Sequence, residues 1–226
     1  MQSRIHIAPQ DIALLLGDPH PLLAQVGASA EPQVPALSSV GLQLQRVRSL
    51  SALQNFLQTY QAELLVPVEL PAILRAHGHA VRHEVRELIE LDQQLAHEPK
   101  LKEFAVASCR VGQRQISRLR GLRDHRLIQR YLAAVENGAA HGWHTVVYGI
   151  SLGVFSLPLR QGLVGYAHHT LGGFIESAAN PLALTVTQAR ELHTQVCAGV
   201  PAAVTEKEAA WPTDTLWAEG CVVKRG

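Results

Sequence analysis

Apolar residues recur three and four positions apart along this chain from about residue 49 onward. In the first segment with this spacing they are Leu50, Leu53, Leu57, Tyr60 and Leu64. The spacing places apolar side chains along one face of an α-helix, whereas a half-buried strand alternates apolar and polar residues. The sequence shows neither such alternation nor a glycine-rich phosphate loop. The pattern therefore predicts an all-α fold.

Prolines, glycines and capping residues divide this pattern into about seven main helices. Ser49 is a potential N-cap of the first helix, and Thr185 with Gln188 forms a capping-box pattern before the seventh. We expect Pro67 and Pro71 to interrupt the first helix, because a proline in a helix interior removes a backbone hydrogen bond. The other helices are predicted near residues 81–95, 99–121, 124–138, 140–155, 156–180 and 185–198, with Pro99 opening the third and Asp124 capping the fourth.

The helices are expected to form one domain, since a chain of 226 residues with 47% hydrophobic residues can bury a single sizeable core. Residues 1–48, with prolines at 9, 19, 21, 32 and 35, are predicted to be an irregular Pro/Gly-rich lead-in. Residues 49–200 are assigned to the bundle. Residues 201–226 are predicted to be a tail with a short helix at most.

The cysteines and the N-terminal residues indicate the cellular compartment of the protein. Cys109, Cys197 and Cys221 are an odd number without a metal-ligand spacing, which fits a reducing compartment. The first residues do not resemble a signal peptide, because Asp11 interrupts a short apolar stretch that no cleavage pattern follows. We expect a cytoplasmic protein.

The charge of the chain is balanced overall but uneven locally. Twenty basic and 19 acidic residues leave a formal net charge of +1. Between residues 110 and 130, however, Asp124 is the only acid among seven arginines: Arg110, Arg114, Arg118, Arg120, Arg123, Arg126 and Arg130. The first three form a stripe at four-residue spacing that could neutralise phosphates, so a nucleic-acid-binding or regulatory domain is an alternative function. A solvated helix face is the simpler interpretation, because no helix-turn-helix pattern accompanies the charge.

Histidines are the candidate metal ligands in this sequence. His141 and His144 would share a face of a helix, as would His79 and His83, so each pair could donate two imidazoles. A site needs more ligands, and the adjacent His168 and His169 would point about 100° apart on a helix. We expect no bound metal and no cofactor, and we assign these histidines to capping or the core.

Residues 142–159 contain no charged side chain, which raises the alternative of a membrane span. Gly149 and Gly153 within this stretch have the spacing that lets transmembrane helices approach each other. Several polar residues lie inside the stretch, and Pro158 stands near its end. The same glycines serve a helical bundle by allowing a neighbouring backbone to come close, so no membrane association is expected.

Catalytic patterns are not found in the sequence. There are no paired carboxylates on one helix face, no Gly-x-Ser-x-Gly turn and no cysteine with an obvious histidine partner. Glu84, Glu87 and Glu90 lie among arginines at helical spacing, as ion pairs on an exposed helix do. The chain is therefore not expected to be an enzyme.

Two long stretches resemble the UreF family of urease accessory proteins. They read LDQQLAHEPKLKEFAVASCRVGQRQISRL and YLAAVENGAAHGWHTVVYGISLGVFSLPLRQGLVGYAHHTLGGFIESAA, and the likeness covers about residues 49–179. Ser108 and Gly112 match the family's helix reading R-E-x-S-x-x-x-G, and His141, His144 and Gly149 match its next helix. Residues 34–43, VPALSSVGLQ, resemble a shortened form of an N-terminal family motif and contain Gly41.

The chain departs from the family at several polar positions. Ala105 stands where the family helix has Arg, Gln43 replaces a Glu, and Pro181 lies near a family Arg. The replaced side chains are ones that would face partners. The resemblance therefore implies the helical scaffold of the family more strongly than its full set of partner contacts.

The resemblance implies an all-helical, non-enzymatic chaperone that dimerises, binds UreD (UreH in some organisms) and recruits the GTPase UreG. The assembled complex then delivers nickel to apo-urease. In this interpretation the arginine stripe, with Arg110 and Arg114, and the tail after Trp211 are candidate contact surfaces.

Overall fold

Helices account for most of residues 46–210, the part of the chain that the computed structural model describes. The nine α-helices in this part are α1 Leu50–Tyr60, α2 Leu70–Val81, α3 Val85–Ala96, α4 Ala105–Arg118, α5 Arg126–Glu136, α6 His144–Val154, α7 Leu159–Ala179, α8 Val186–Cys197 and α9 Val200–Ala210. A π-helical segment, Gln61–Glu69, joins α1 to α2, and 3₁₀ turns lie at Pro99–Leu101 and Leu119–Gly121. No strand occurs between residues 46 and 210. The predicted all-α, single-domain bundle is confirmed, while most of the predicted lead-in and the end of the tail lie outside the described residues.

Capping residues set several of the helix starts that the sequence predicts. Ser49 Oγ accepts a hydrogen bond from the Ala52 N–H at 3.2 Å, which makes it the N-cap of α1. Thr185 and Gln188 form the predicted capping box before α8, with each side chain bonded to the backbone of the other residue. These side chains satisfy N–H groups that have no partner within the helix.

Three predicted helix starts are wrong by a few residues. Pro99 opens a 3₁₀ turn, and α4 begins only at Ala105. The N-cap of α5 is His125, one residue after Asp124, and its side chain makes no capping bond. The fifth predicted helix begins only at His144, and the backbone N–H groups of residues 141–143 before it bond to Asp92 of α3.

The predicted break at Pro67 and Pro71 is wrong, since the chain stays helical from residue 50 to residue 81. Pro67 lies within the π-helical segment, at whose end the Leu70 N–H bonds to Leu65 O, five residues earlier. This wider turn accommodates a residue that has no N–H to donate. Pro71 lies in the first turn of α2, where a proline is tolerated.

The predicted helix over residues 81–95 is instead divided by a turn. Val81 is the last residue of α2 and is 55% exposed. His83 in the turn has a φ of 59°, a left-handed conformation that ends the helical path, and α3 begins at Val85. The buried face of α3 is formed by Leu88, Leu91, Asp92 and Leu95.

Helix α6 lies at the centre of the bundle, packed mainly on α2 and α4. Every residue from His144 to Leu152 is buried, so this helix is covered on all sides. The helix contains no acidic residue, lysine or arginine and is mostly apolar, which suits such a core position. Helix α7 packs on α2, α8 and α9, and Val204 of α9 is fully buried.

The charge-free stretch from residue 142 to residue 159 is not one helix. Its helical part, α6, has 11 residues and ends before a turn at residues 155–158. Eleven residues rise about 17 Å, about half of the hydrocarbon thickness of a bilayer. Among the described helices, none combines the length and the apolar character that crossing a membrane requires.

Candidate functional site

The N-terminus of α6 is held by a carboxylate from another helix. Asp92 of α3 is fully buried and accepts hydrogen bonds from the backbone N–H groups of His141, Gly142 and Trp143, the last two at 3.0 Å. Trp143 is the N-cap residue of α6, and its own side chain makes no capping bond. A negative charge at a helix N-terminus is favoured by the helix dipole and by the free N–H groups there. Asp92 therefore caps α6 from outside the helix.

Three further side chains complete this contact around the start of α6, which we call the junction. Ser108 Oγ of α4 accepts a hydrogen bond from the His144 N–H at 3.2 Å, and Gln113 Nε2 donates to His141 O at 2.8 Å. The Tyr131 hydroxyl of α5 donates to Asp92 Oδ2 at 2.7 Å. Burial and the nearby Asp92 charge raise the pKa of Tyr131, so it remains a protonated donor. The junction thus joins α3, α4, α5 and the start of α6.

Gly112 is required by the close approach of α4 to this turn. A Cβ at Gly112 would lie 2.1 Å from Gly142 O and 2.8 Å from the His144 backbone nitrogen. Both neighbours are backbone atoms, which cannot move aside without displacing α6. Gly142 has a φ of 75°, a conformation that side chains disfavour. The two glycines therefore bring Ser108 within reach of α6.

Gly149 and Gly153 form the seam between α6 and α2. A Cβ at Gly149 would lie 2.6 Å from Ile73 O and 2.7 Å from the Ala76 Cβ, and one at Gly153 would lie 3.0 Å from the Ala80 Cβ. The prediction that these glycines allow a close helix approach is confirmed.

His141 and His144 do not share a helix face, because His141 precedes α6. The side chain of His141 is exposed, whereas His144 is 1% exposed and its ring centroid lies 5.6 Å from that of Tyr166. His79 bonds through Nδ1 to the Glu84 carboxylate at 2.7 Å. Within residues 46–210, neither predicted histidine pair belongs to a group of three potential metal ligands.

A model of the UreF family matches residues 47–197, which is more than half of the chain and includes the whole junction. This protein belongs to the UreF family. No curated protein matches the chain. The family is one of urease accessory proteins, which are generally not catalytic, so a role in urease maturation follows from membership.

The family-motif residues and the candidate interface residues predicted from the sequence divide into two groups by exposure. Ser108, Gly112, His144 and Gly149 are buried and serve the junction or the glycine seam. Arg110, Arg114 and His141 are exposed. Gly41 lies outside the described residues.

Of the three positions at which the sequence is expected to depart from the family pattern, the two described ones make none of the hydrogen bonds of the junction. Ala105 is the first residue of α4 and packs partly buried against the core. Pro181 lies in the turn between α7 and α8. Gln43 lies outside the described residues.

The seven arginines between residues 110 and 130 are all exposed. Arg120 forms an ion pair with Glu136. On α4, Arg110 and Arg114 lie on the side opposite the buried face that packs on α6. Val106, one turn before Arg110, is 83% exposed. We call Val106, Arg110 and Arg114 the α4 surface.

A buried carboxyl group in the π-helical segment was missed by sequence reasoning. Glu69 is 6% exposed, and the Tyr60 hydroxyl donates to its Oε2 at 2.7 Å. Burial raises the pKa of Glu69 from 4.5 to about 7, although hydrogen bonds from Tyr60 and Tyr166 act in the opposite direction. An acid within the apolar run LLVPVELPA is the signal that could have indicated it. Aromatic rings pack around Tyr60: Phe56, Phe104 and Phe174.

One cluster of potential metal ligands occurs in the described part of the chain. It consists of His168 on α7 and of His193 and Cys197 on α8, whose donor atoms all lie within 4.8 Å of one another. Burial raises the pKa of Cys197 to about 12, so the sulfur is a thiol in the absence of an ion. The sequence placed His168 next to His169 but could not show that α8 lies against it.

Proposed function

We propose that this protein is a non-enzymatic chaperone of urease maturation that binds UreD (UreH in some organisms) and recruits the GTPase UreG. The resulting complex delivers nickel to apo-urease in the cytoplasm, and the chaperone acts within it as a homodimer. The observation that carries this proposal is the family match over residues 47–197, which spans α1 to α8.

The junction supports a role as a scaffold. Asp92 is fully buried and Ser108 is 5% exposed, and both side chains accept hydrogen bonds from backbone N–H groups at the start of α6. The hydrogen bonds of the junction hold α3, α4, α5 and α6 in fixed positions. Buried polar groups of this kind stabilise a single arrangement of helices, and a protein that presents surfaces to several partners needs such an arrangement.

Contact with partners then requires exposed side chains. We assign it to the α4 surface, because arginine is enriched at the centres of protein interfaces and Val106 adds an exposed apolar side chain beside the two arginines. The positive charge suits an acidic partner surface. The tail after Trp211 is a second proposed contact and lies outside the described residues.

A co-purification experiment tests the proposal. The full chain is co-expressed with UreD and UreG from the same source, and the complex is isolated through a tag on UreD. We expect wild type to co-purify and the double variant Arg110→Glu, Arg114→Glu to be lost from the complex, because charge reversal opposes an acidic partner. Failure of the folded wild-type protein to bind UreD would contradict the proposal.

A matched control distinguishes a specific contact at the α4 surface from a general effect of positive charge on binding. Arg126 and Arg130 are also exposed and four residues apart, but they lie on α5. The variant Arg126→Glu, Arg130→Glu should remain in the complex. Equal loss in both double variants would reject the α4 surface as the specific contact.

The exposure of all seven arginines also favours the second candidate function, nucleic-acid binding. In that case both double variants would weaken binding, and the affinity for duplex or single-stranded nucleic acid would fall steeply with salt. Absence of binding at low salt removes this candidate.

A further inference from the structure

Helices α7 and α8 bring two histidines and a cysteine together at their contact. His193 and Cys197 are four residues apart on α8 and share a face, and this face meets His168 of α7. Cys197 Sγ lies 3.6 Å from His193 Nε2, and the rings of His168 and His193 have centroids 5.4 Å apart at an interplanar angle of 83°. The three side chains therefore present two nitrogens and one sulfur to a common point.

The spacing of these atoms fits a tetrahedral ion. Bonds of about 2.1 Å to nitrogen and about 2.3 Å to sulfur place neighbouring N and S ligands of a tetrahedral ion about 3.6 Å apart. The His193–Cys197 distance already has this value. The third donor lies within 4.8 Å of the others, so a small rotation of a side chain completes the set.

An unsatisfied polar atom points to the same place. His168 Nε2 is buried and has no hydrogen-bond partner among the described residues. Burial, with a smaller contribution from His193, lowers the pKa of His168, so its imidazole is neutral and can offer a lone pair. Leaving a buried nitrogen without a partner is costly, and a bound ion would remove that cost.

Gly172 leaves room for the cluster on α7, one turn after His168. A Cβ at Gly172 would lie 3.5 Å from His193 Cδ2 and Nε2, in van der Waals contact with the ring. A longer side chain at this position would occupy the space beside His193. The backbone of α7 thus lets the α8 histidine approach closely.

We propose that His168, His193 and Cys197 form a binding site for a divalent metal ion of the zinc type, with water as the fourth ligand. Two imidazoles and a thiolate suit a borderline ion such as Zn²⁺ rather than Mg²⁺ or Ca²⁺. His168 and His193 are half-buried and Cys197 is 4% exposed, so the ion reaches the site past the histidines.

Binding requires a rearrangement of protons and no transfer of electrons. The thiol proton of Cys197 leaves to solvent, because the thiolate is the ligand. His193 Nε2 lies 2.9 Å from His168 O. On binding, this nitrogen gives its lone pair to the ion, its hydrogen bond to the carbonyl is lost, and the imidazole proton resides on Nδ1.

Cobalt titration of the full-length, reduced protein tests the site. Co²⁺ bound by a thiolate gives a charge-transfer absorption band, and we expect this band to saturate at one ion per chain and to be removed by Zn²⁺. Cys197→Ala should abolish the band. Cys221→Ser, which changes a cysteine outside the described residues, should retain it.

The histidines provide the matched comparison. His168→Ala should weaken Co²⁺ binding by more than about tenfold, whereas His169→Ala, the adjacent position on α7, should leave the affinity unchanged. Circular dichroism checks that each variant is folded. If Cys197→Ala does not fold, Co²⁺ binding by His168→Ala tests the site. Absence of the band in wild type, or equal binding by wild type and His168→Ala, would overturn the proposal. The site does not depend on the partners of the proposed function, so either can fail alone.

Discussion

The carboxylate of Asp92 accepts the backbone N–H of Gly142 at a distance of 3.0 Å, across 50 residues of sequence. This bond and its neighbours place the central helix α6 against α3. The start of α6 is consequently determined by α3 and α4, since its own N-cap residue contributes no side-chain bond.

Asp92→Asn should strongly reduce stability. The amide has one oxygen and no charge, so its nitrogen would face backbone donors in a buried position, and the free energy of unfolding should fall by about 3 kcal/mol. Urea denaturation followed by circular dichroism measures this change. Asp124→Asn, at an exposed position, should change the unfolding free energy by less than about 0.5 kcal/mol. Similar values for the two variants would show that the junction does not stabilise the fold.

Gly112→Ala should be damaging although alanine favours helices. The added Cβ would lie 2.1 Å from Gly142 O, so α4 and the start of α6 must separate, at a cost of about 3 kcal/mol. Thermal unfolding compares this variant with Gly121→Ala, whose Cβ would meet nothing within 4 Å. The Gly121 variant should be neutral or slightly stabilised. A Gly112 variant as stable as wild type would contradict the close approach.

Glu69→Gln should remove a pH dependence of stability. Because burial raises the pKa of Glu69 from 4.5 to about 7, the folded state holds this proton more tightly than the unfolded state. The stabilising contribution is complete below pH 4.5 and is lost as the pH rises through 7, on the order of 3 kcal/mol in total. Glu69→Gln should therefore gain stability relative to wild type between pH 5 and pH 8.

The comparison with wild type at each pH is essential for Glu69. Burial lowers the pKa values of His77 and His168, which gives the opposite dependence in both proteins and cancels in the difference. Glu63→Gln, at an exposed position in the same π-helical segment, should show no such gain. Urea denaturation at several pH values measures the three proteins, and parallel curves for wild type and Glu69→Gln would reject the raised pKa.

Local signals in the sequence predicted helix ends correctly where the stabilising contact joins residues close together in the chain. Ser49 and the Thr185–Gln188 pair cap their helices as predicted, because each bond spans only three residues. The prolines at 67 and 71 were misleading, since propensity describes an isolated helix and packing stabilises a wider π turn in the core.

The family pattern can be recognised in the sequence, but the contacts that its residues make in the structure cannot. Ser108 and Gly112 can be matched to the family's helix, yet the residues they contact, His144 and Gly142, lie 36 and 30 residues further along the chain. The sequence does not indicate that Asp92 caps another helix, because an acid on an amphipathic helix normally faces solvent.

The sequence by itself determined the helical class, most helix positions and the family, because periodicity, caps and motif spacing are properties of short segments. Only the tertiary structure decided which polar residues are buried together: Asp92 with the start of α6, Glu69 with Tyr60, and His168 with His193 and Cys197. Such pairings depend on how helices distant in sequence pack, and the geometry of packing is not encoded in any one segment.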